Sequence, residues 1–525
     1  MGKKLCIIGI VCLIMGCSST ERNKNTYDDM YAKNNLSNSS SDKNKGLDRI
    51  SFFEKYNYPE GKFYIATKNE YLSANNDNSA KKKYFQSDDE KEFLKFYKNL
   101  DIRGYGDNSG YWRWNFSLTH KELNSILNKN LPIVAKNRSK DILTLVDNKW
   151  QIQEVPLNPI GNLSEIKVME RGKSGIIIKL LIKGSRGTYL IAREHNIRGL
   201  ISLNKNTVGR EVNIYGANGA AKEYSQKPIS RNPNLLPSGY FAFEKKASTY
   251  NFYGGGYGHG VGMSQWGVAD LTKNYGYSYK AVLHRYYKSV KLENMYNLPG
   301  VGKTIRVGIM TTSFKSLDHD KVVLSSGSSI KIKNSKISLE AKPREKVEFI
   351  NKNGQIKIFI SGKQKAITKE KIEITSSKAM ISVNSIKRNI KKISSPSYRG
   401  SFEVRLSKNE NKLRLINEVD IEQYLLQVLP SEMPESFGLE ALKVQAVAAR
   451  TYALSDYQKG RYLKDGFHIT DSTQSQVYNN LDENPKSRQA ISMTKGEVMT
   501  YKNKPIDAKY YSTSSGYGAA AHNVW

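Results

Sequence analysis

The chain has 525 residues, of which 38% are hydrophobic and 25% charged, so it is long enough for more than one globular core and is not disordered throughout. Its formal net charge is +33, from 82 Lys and Arg against 49 Asp and Glu. This excess favours a polyanionic partner, which nucleic acid, anionic lipid or an acidic cell-wall polymer could supply.

The N-terminal segment, residues 1–17, has the layout of an export signal. Lys3 and Lys4 precede an apolar run that is too short to span a membrane and ends at Cys17. Ile14-Met15-Gly16-Cys17 resembles the lipobox of bacterial lipoproteins, which implies lipidation of Cys17. The alternative, an uncleaved signal anchor, also places the chain outside the membrane. Export argues against nucleic acid as a partner and favours envelope polymers.

A tether and a first globular region follow. Residues 18–87 are rich in Asn, Lys, Ser and Asp, which is typical of a low-complexity tether. Residues 88–297 show the periodicities of a mixed helix and strand domain. The predicted helices are 92–100, 119–127 with Thr119 as N-cap, and 193–200, and the predicted strands are 111–115, 164–170, 175–182 and 187–191.

A glycine-rich motif spans residues 254–267 and leads into a predicted helix at 264–275. Its glycines indicate a backbone that bends sharply or approaches another surface. No Gly-Lys-Ser/Thr follows, so a nucleotide-binding P-loop is excluded. His259 stands between two glycines, which leaves its ring open for proton transfer or orientation. A histidine hydrogen-bonded to backbone is the equally weighted alternative.

After residue 297 the pattern becomes β-rich. Residues 298–397 contain short strand-like runs at the spacing of a small sandwich or barrel. These runs are 303–310, 321–325, 330–337, 347–350, 356–360 and 372–374. A hairpin at 399–406 and 412–416 then leads to a predicted helix at 420–428.

Glu432 is the candidate catalytic residue of this C-terminal region. It lies between Pro430 and Pro434, which predicts a rigid turn because proline disfavours helix for the residue before it. A helix begins near Gly438, and Lys443 and Arg450 fall on one of its stripes, seven residues apart. The alternatives are a carboxylate that only complements a helix dipole and two cations on a solvated face. The small residues at 446–449 favour a packed seam with functional cations.

Several of these motifs together resemble the SpoIID/LytB family. They are Tyr398–Val404, Ile416–Val419, Val428–Pro434, Ala441–Leu454 and Gly258–Gln265. The resemblance covers nearly everything from residue 88 to residue 525. It implies an α+β fold and peptidoglycan chemistry, since the sporulation members are lytic transglycosylases that cleave glycan strands stripped of their stem peptides.

The resemblance also implies roles for individual residues. Glu432 takes the position of the catalytic acid. The predicted substrate-binding residues are Lys443, Arg450, Tyr510, Ser512, Ser514, His259, Ser264 and Gln265. Lytic cleavage needs one carboxyl group, which protonates the leaving oxygen and then accepts a proton from the sugar hydroxyl that closes the anhydro ring. A lone Glu432 suits that chemistry.

Two features depart from the family pattern. Some members carry a zinc site, but Ile469 and Ser475 stand where its cysteines would be, so neither a metal nor another cofactor is predicted. His468 with Asp471 is too small a ligand set to replace it. In the family the glutamate half comes first, whereas here His259 precedes Glu432. Circular permutation is the prediction, with a truncated tandem protein or pairing of half-domains between molecules as alternatives.

The resulting interpretation is a membrane-anchored lipoprotein of the bacterial cell envelope. Residues 88–297 and 398–525 are assigned to the two halves of the domain, with 298–397 as a β-rich lead-in. Three functions remain open: a lytic transglycosylase, a non-catalytic enhancer of an N-acetylmuramoyl-L-alanine amidase, and a wall-binding scaffold. The predicted partners are peptidoglycan glycan strands and other cell-wall hydrolases.

Overall fold

The computed structural model describes residues 69–78, 85, 89–388, 393–409, 411–478 and 480–525. Cys17, the export signal and most of the predicted tether lie outside the described residues. The described chain is 26% helix and 33% strand, with the strands in several sheets, which confirms the predicted α+β class. It divides into two compact units. No helix among the described residues has both the length and the apolar character needed to cross a membrane.

Helices and strands are numbered in chain order over the described residues. The helices are α1 Glu90–Lys98, α2 His120–Asn137, α3 Glu194–Leu200, α4 Lys205–Val208, α5 Gln265–Lys273, α6 Tyr279–Tyr286, α7 Ile421–Glu432, α8 Leu439–Lys459 and α9 Pro485–Met493. The first strands are β1 Asn75–Asn76, β2 Arg113–Thr119, β3 Ile142–Val146, β4 Lys149–Gln151, β5 Leu163–Arg171, β6 Ile177–Gly184, β7 Thr188–Ala192, β8 Asn213–Ala217, β9 Ser230–Arg231, β10 Phe241–Lys246, β11 Thr249–Gly254 and β12 Met263–Ser264.

The remaining strands are β13 Lys291–Asn294, β14 Thr304–Gly308, β15 Lys321–Ser326, β16 Ile330–Lys333, β17 Ser338–Ala341, β18 Val347–Lys352, β19 Gln355–Ile360, β20 Lys363–Thr368, β21 Ile372–Ser376, β22 Ile381–Val383, β23 Ser397–Tyr398, β24 Ser401–Leu406, β25 Leu413–Asp420, β26 Ile469–Thr470, β27 Glu497–Tyr501, β28 Lys504–Pro505, β29 Tyr510–Tyr511 and β30 Tyr517–Gly518.

The glycine-loop unit comprises the described residues up to Tyr277, together with Ala281–Ser289 and Lys509–Trp525. It has two five-stranded sheets, in the orders β10-β11-β2-β8-β9 and β4-β3-β7-β6-β5. Buried residues of both sheets and of α2 form one hydrophobic core. Residues 69–78, which the sequence grouped with the tether, are folded here, because β1 pairs with β30.

Helix α2 shows how local signals and packing combine in this unit. Thr119 caps its N-terminus in a reciprocal capping box with Glu122, as its sequence predicts. The helix runs to Asn137 rather than ending at residue 127, and it contains Pro132. Leu131 and Ala135 continue its buried face, so packing of that face against the core extends the helix past the proline.

The Glu432 unit comprises Ser278–Lys280 and Val290–Ala508. Its β-rich part has a seven-stranded sheet, β17-β16-β21-β24-β25-β14-β26, and a six-stranded sheet, β20-β19-β18-β15-β22-β23. A three-stranded sheet, β13-β27-β28, completes it. Helix α8 is buried without interruption from Ala441 to Asp456, as expected for a helix whose small residues allow close packing on every side.

Candidate active site around Glu432

Glu432 is the last residue of helix α7, and Pro430 lies inside that helix. The predicted helix end at residue 428 and the turn between two prolines are therefore wrong. A proline in the last turn interrupts little, since Met433 still donates its N–H to the Leu429 carbonyl at 3.0 Å. Met433 itself is extended, as Pro434 requires. The carboxylate is thus held on a rigid helix end.

The Glu432 carboxylate faces the segment 476–478. The Val477 N–H donates to its Oε1 at 2.8 Å, and the side chain is half-buried. Two turns earlier in α7, Tyr424 is fully buried and donates its hydroxyl to Gln476 Oε1 at 3.2 Å. Burial first, and then the nearby Tyr478 and Glu432 groups, hold the pKa of Tyr424 well above its usual range. Tyr424 therefore remains a neutral donor that fixes the segment beside the carboxylate.

Lys443 occupies a mostly buried position on α8, with 8% of its surface exposed. Its Nζ lies 2.5 Å from Glu440 Oε1 and 5.3 Å from the ring centroid of Tyr279. The Tyr279 N–H donates to Glu440 Oε2 at 2.8 Å, and its hydroxyl donates to Glu497. Burial and that bond to Glu497 raise the pKa of Tyr279 to about 12. Lys443 is held within a cluster of fixed polar groups.

Arg450 is fully buried and joins three elements of the Glu432 unit. Its Nε and Nη2 donate to the two oxygens of Glu422, at 2.9 and 2.6 Å, and its Nη1 donates to the Glu497 carbonyl at 3.0 Å. Glu422 lies in the first turn of α7 and also accepts the Gly496 N–H at 2.9 Å. As folded, Arg450 fixes the helix that ends at Glu432, and contact with saccharide stays a prediction.

The segment 471–478 is held by a buried ion pair. Asp471 pairs with Arg388, and both side chains are completely buried. Asp471 also accepts the Met310 N–H at 3.0 Å, and its backbone carbonyl accepts the Tyr478 N–H at 3.2 Å. Sequence reasoning missed Arg388, which lies 83 positions away in the β-rich lead-in. Within the described residues, no group of three or more His, Cys, Asp or Glu side chains is arranged to hold a metal ion.

His468 provides a pH-dependent test of this segment. Its Nδ1 accepts the Arg306 N–H at 3.0 Å, and burial first, then the Arg306 charge, lowers its pKa to about 4. In the unfolded chain the histidine side chain has its ordinary pKa of about 6.5. As pH falls, the unfolded state therefore takes up a proton at a higher pH than the native state does. The free energy of unfolding should therefore fall as pH falls from about 6.5 to about 4. Melting temperatures measured across that range should fall more steeply for the native protein than for His468→Asn.

The asparagine retains an acceptor for Arg306 but does not titrate, so the carboxylates common to both proteins cancel in the comparison. Identical pH profiles would contradict the assignment of a depressed histidine pKa.

The glycine-rich loop forms a second constellation, within the glycine-loop unit. Gly258, Gly260 and Gly262 all have positive φ, between 78° and 115°, which explains the alternating glycines. A Cβ on Gly262 would lie 2.0 Å from the Lys509 carbonyl oxygen. His259 accepts the Val261 N–H on its Nδ1 at 3.1 Å and is half-buried. The ring therefore bonds backbone, as one interpretation expected, and a role of His259 in proton transfer or orientation stays a prediction.

The C-terminal segment joins this loop. Strand β12 pairs in parallel with β29, and Tyr257 bridges Thr513. The ring centroid of His259 lies 5.9 Å from that of Tyr511 and 5.3 Å from that of Trp525. The structure therefore brings His259 and the predicted segment 510–514 together in one unit, while Glu432, Lys443 and Arg450 lie in the other.

Exposure separates the predicted substrate-binding residues of this loop. Ser264 is completely buried, caps α5 through the Gly267 N–H and accepts the Ser514 N–H, both at 3.2 Å. Ser514 is also completely buried, and Gln265 is 9% exposed. Tyr510 and Ser512 are half-buried. Direct contact with a saccharide fits Tyr510, Ser512 and His259 better than the two buried serines.

Asp77 is a fully buried residue that the sequence did not indicate as functional. The Tyr286 hydroxyl donates to its Oδ1 at 3.2 Å, and its N–H donates to the Gly516 carbonyl at 2.9 Å. Burial, partly offset by the Arg285 charge, raises its pKa. Because Asp77 falls in a segment with the composition of a tether, composition gave no signal that its carboxyl group is buried in the folded unit.

Comparison with known families finds a match for the segment that contains Glu432. Residues 409–501 match the family described as SpoIID, stage II sporulation protein. That match contains Glu432, Lys443 and Arg450. The chain contains a SpoIID/LytB-family domain. Residues 135–262 match a different family, described only as a domain of unknown function, DUF8618.

Two curated relatives are similar to part of this chain. The chain is 42% identical over 98 residues to the amidase enhancer of Bacillus subtilis, covering 19% of this chain and 13% of the relative. It is 34% identical over 124 residues to stage II sporulation protein D of Bacillus amyloliquefaciens, covering 21% of this chain and 36% of the relative. The matched part of the chain thus spans only about a third of the length of the sporulation protein, and less of the amidase enhancer. Since the SpoIID match ends at residue 501, the permuted order of the domain stays a prediction.

Proposed function

We propose that this protein acts on peptidoglycan as a lytic transglycosylase, with Glu432 as its single acid and base. The observation that carries the proposal is the position of Glu432 inside the SpoIID match, at a rigid helix end where the Val477 N–H fixes its carboxylate. Peptidoglycan as substrate follows from the family resemblance, and Cys17 would anchor the chain outside the membrane as a lipoprotein of the cell envelope.

The reaction needs two proton transfers at one carboxyl group. Protonated Glu432 gives its proton to the glycosidic oxygen as the bond to the anomeric carbon breaks. The carboxylate then takes a proton from a hydroxyl of the same sugar while that oxygen bonds to the anomeric carbon and closes the anhydro ring. Glu432 returns to its protonated form, and no water is consumed.

The surrounding carboxylates favour a single-acid site. Glu422 is bonded to Arg450, Glu440 to Lys443, and Glu435 lies 3.8 Å from Lys486. A hydrolase would need a second carboxylate free to activate water or to attack the sugar. Glu422 on α7, Glu435 between the two helices and Glu440 on α8 are instead paired with cations, which supports Glu432 as the group that performs both transfers.

An amidase enhancer is the alternative function. It is favoured by the 42% identity to the relative of that name. In that role the protein would bind the wall without cleaving glycan and would increase the activity of a partner N-acetylmuramoyl-L-alanine amidase.

Digestion of denuded glycan strands by the purified full chain distinguishes these functions. We expect products that are lighter by one water than those of hydrolysis, as weighed by mass spectrometry. Intact glycan together with faster cleavage by an added amidase would replace the transglycosylase with the enhancer. Products carrying an added water would contradict both.

A further inference from the structure

The positive charge of this protein is concentrated in its β-rich lead-in. Residues 301–400 contain 22 Lys and Arg against 7 Asp and Glu, a net charge of +15 out of +33 for the whole chain. Residues 401–525, which include Glu432, contain 15 of each and are neutral. Residues 301–400 therefore carry just under half of the positive excess in about a fifth of the chain, next to a catalytic segment that has none of its own.

Part of this charge is gathered at one end of the six-stranded sheet. The turn between β17 and β18 carries Lys342, Arg344 and Lys346, and β20 begins at Lys363, directly after the turn that follows β19; all four side chains are exposed. The two turns are joined, since Ser361 donates its N–H to the Lys346 carbonyl at 2.9 Å. We call these four residues, with Lys378, the basic end.

Two members of the basic end, Arg344 and Lys378, are held by the loop that follows β15. Arg344 donates its N–H to the Ser326 carbonyl at 2.8 Å, and Lys378 donates its N–H to Ser328 Oγ at 3.3 Å. Strand β15 ends at Ser326, so this loop lies at the same end of the sheet as the two turns. Cations therefore come from three segments: 342–346, the start of β20 and the segment that contains Lys378. The cationic cluster is thus a product of sheet topology, since its members span 37 positions of sequence.

One carboxylate lies in this cluster and does not neutralise it. Glu345 accepts the Lys342 N–H at 2.8 Å and the Ser361 hydroxyl at 3.0 Å, and these bonds lower its pKa. Glu345 therefore remains ionised and bonded within its own turn. The next carboxylate, Glu348, lies 3.7 Å from Lys321. The five cations of the basic end are therefore accompanied by one carboxylate, Glu345, which is bonded to its own turn.

On the seven-stranded sheet, in contrast to the basic end, the cations are paired with carboxylates. A groove there also contains cations, but Arg306 bonds to both Glu403 and Glu418, and Lys371 bonds to Glu403. Cross-strand partners likewise place Lys331 opposite Glu340 and Lys333 opposite Glu373. Charge is balanced on that sheet and unbalanced at the basic end.

We propose that the basic end binds a phosphodiester polymer of the polyol-phosphate type. Clustered Lys and Arg release counterions when they contact a chain of regularly spaced phosphates, which gives affinity without shape-specific contacts. A membrane surface fits less well, because the two turns carry Pro343, Ser361 and Gly362, and Met380, two residues after Lys378, is a single exposed apolar side chain rather than an apolar face that would enter a bilayer. Such a site would hold the protein on an anionic polymer independently of any glycan cleavage.

The test replaces four cations of the basic end in the full chain. The variant is Lys342→Gln, Arg344→Asn, Lys346→Gln and Lys363→Gln, with asparagine chosen because φ of Arg344 is 68° and asparagine tolerates that conformation. The matched control is Lys464→Gln, Lys495→Gln, Lys502→Asn and Lys504→Gln, which removes four exposed cations near the catalytic segment, one of them also at positive φ. All samples carry Cys17→Ser to exclude a lipid anchor.

Binding to poly(glycerol phosphate) is measured by titration between about 50 and 200 mM salt. We expect the basic-end variant to bind at least about tenfold more weakly than the parent, with a plot of log Kd against log salt that is flatter by about 2 to 4. The control should bind within about twofold of the parent, and both should keep the parent melting temperature.

Three outcomes would overturn the proposal. The basic-end variant could bind the polymer as tightly as the parent, or the control could lose as much affinity as the variant, which would show a response to net charge alone. The third is tighter binding to phosphatidylglycerol vesicles than to the polymer, lost in the basic-end variant, which would assign this surface to the membrane instead.

Discussion

Replacing Glu432 by Gln is expected to abolish the release of anhydro-sugars from denuded glycan strands while leaving the fold intact. Glutamine has the shape of glutamate and retains an oxygen that can accept the Val477 N–H. It can neither protonate the leaving oxygen nor accept the proton of the attacking hydroxyl. General acid and base catalysis contributes about 10²- to 10⁴-fold each, so the product should fall below detection.

Mass spectrometry of timed digests measures this loss. The matched control is Glu435→Gln, three residues further along, which removes a carboxylate whose side chain is 44% exposed and lies 3.8 Å from Lys486. It should leave the rate within about twofold, since an exposed ion pair contributes little. If Glu432→Gln released anhydro-sugars at the parent rate, Glu432 would not be the acid. An unchanged melting temperature shows that the loss is chemical.

Replacing Arg388 by Met should reduce the free energy of unfolding by about 3 to 5 kcal/mol. The substitution leaves the completely buried Asp471 without its cation, and an uncompensated charge in the interior is costly. Asp471 anchors the segment 471–478 through Met310 and Tyr478, and that segment donates the Val477 N–H to Glu432. We therefore also expect slower glycan cleavage.

Urea titration of the full chain measures the stability change. The control is Lys408→Met, which breaks an ion pair with Asp465 in which 74% of the lysine side chain is exposed, and it should cost less than about 1 kcal/mol. The double variant Arg388→Met with Asp471→Leu should recover part of the loss, because the pair is then removed without leaving a buried charge. Equal effects of Arg388→Met and the control would contradict a structural role for the pair.

Local sequence signals predicted the elements whose causes are local. The Thr119 N-cap and the extended conformation of Met433 before Pro434 depend on a few adjacent residues, and both are found. The helix end at residue 428 was wrong because a proline in a last turn removes few backbone bonds, and tertiary packing decides whether the turn continues. The end of α2 was missed because packing of Leu131 and Ala135 against the core extends that helix past Pro132.

Lys443 and Arg450 show the limit of pattern reasoning in the candidate site. Their seven-residue spacing correctly places them on one stripe of a helix, which the geometry of an α-helix dictates. Their burial could not be read from that spacing, because all of α8 from Ala441 to Asp456 is enclosed by other elements. The partner Glu422 lies 28 positions away, beyond the reach of any helical periodicity.

The sequence by itself determined the α+β class, the Glu432 motif with its family, and the excess of positive charge in residues 301–400. These depend on composition or on neighbouring residues, which a linear pattern records. Only the tertiary structure decided that Arg388 pairs with Asp471, that the segment 510–514 joins the loop of His259, and that Lys342 and Lys378 meet at one sheet end. Such contacts follow from strand order and close packing between distant segments, whose spacing along the chain carries no periodic signal.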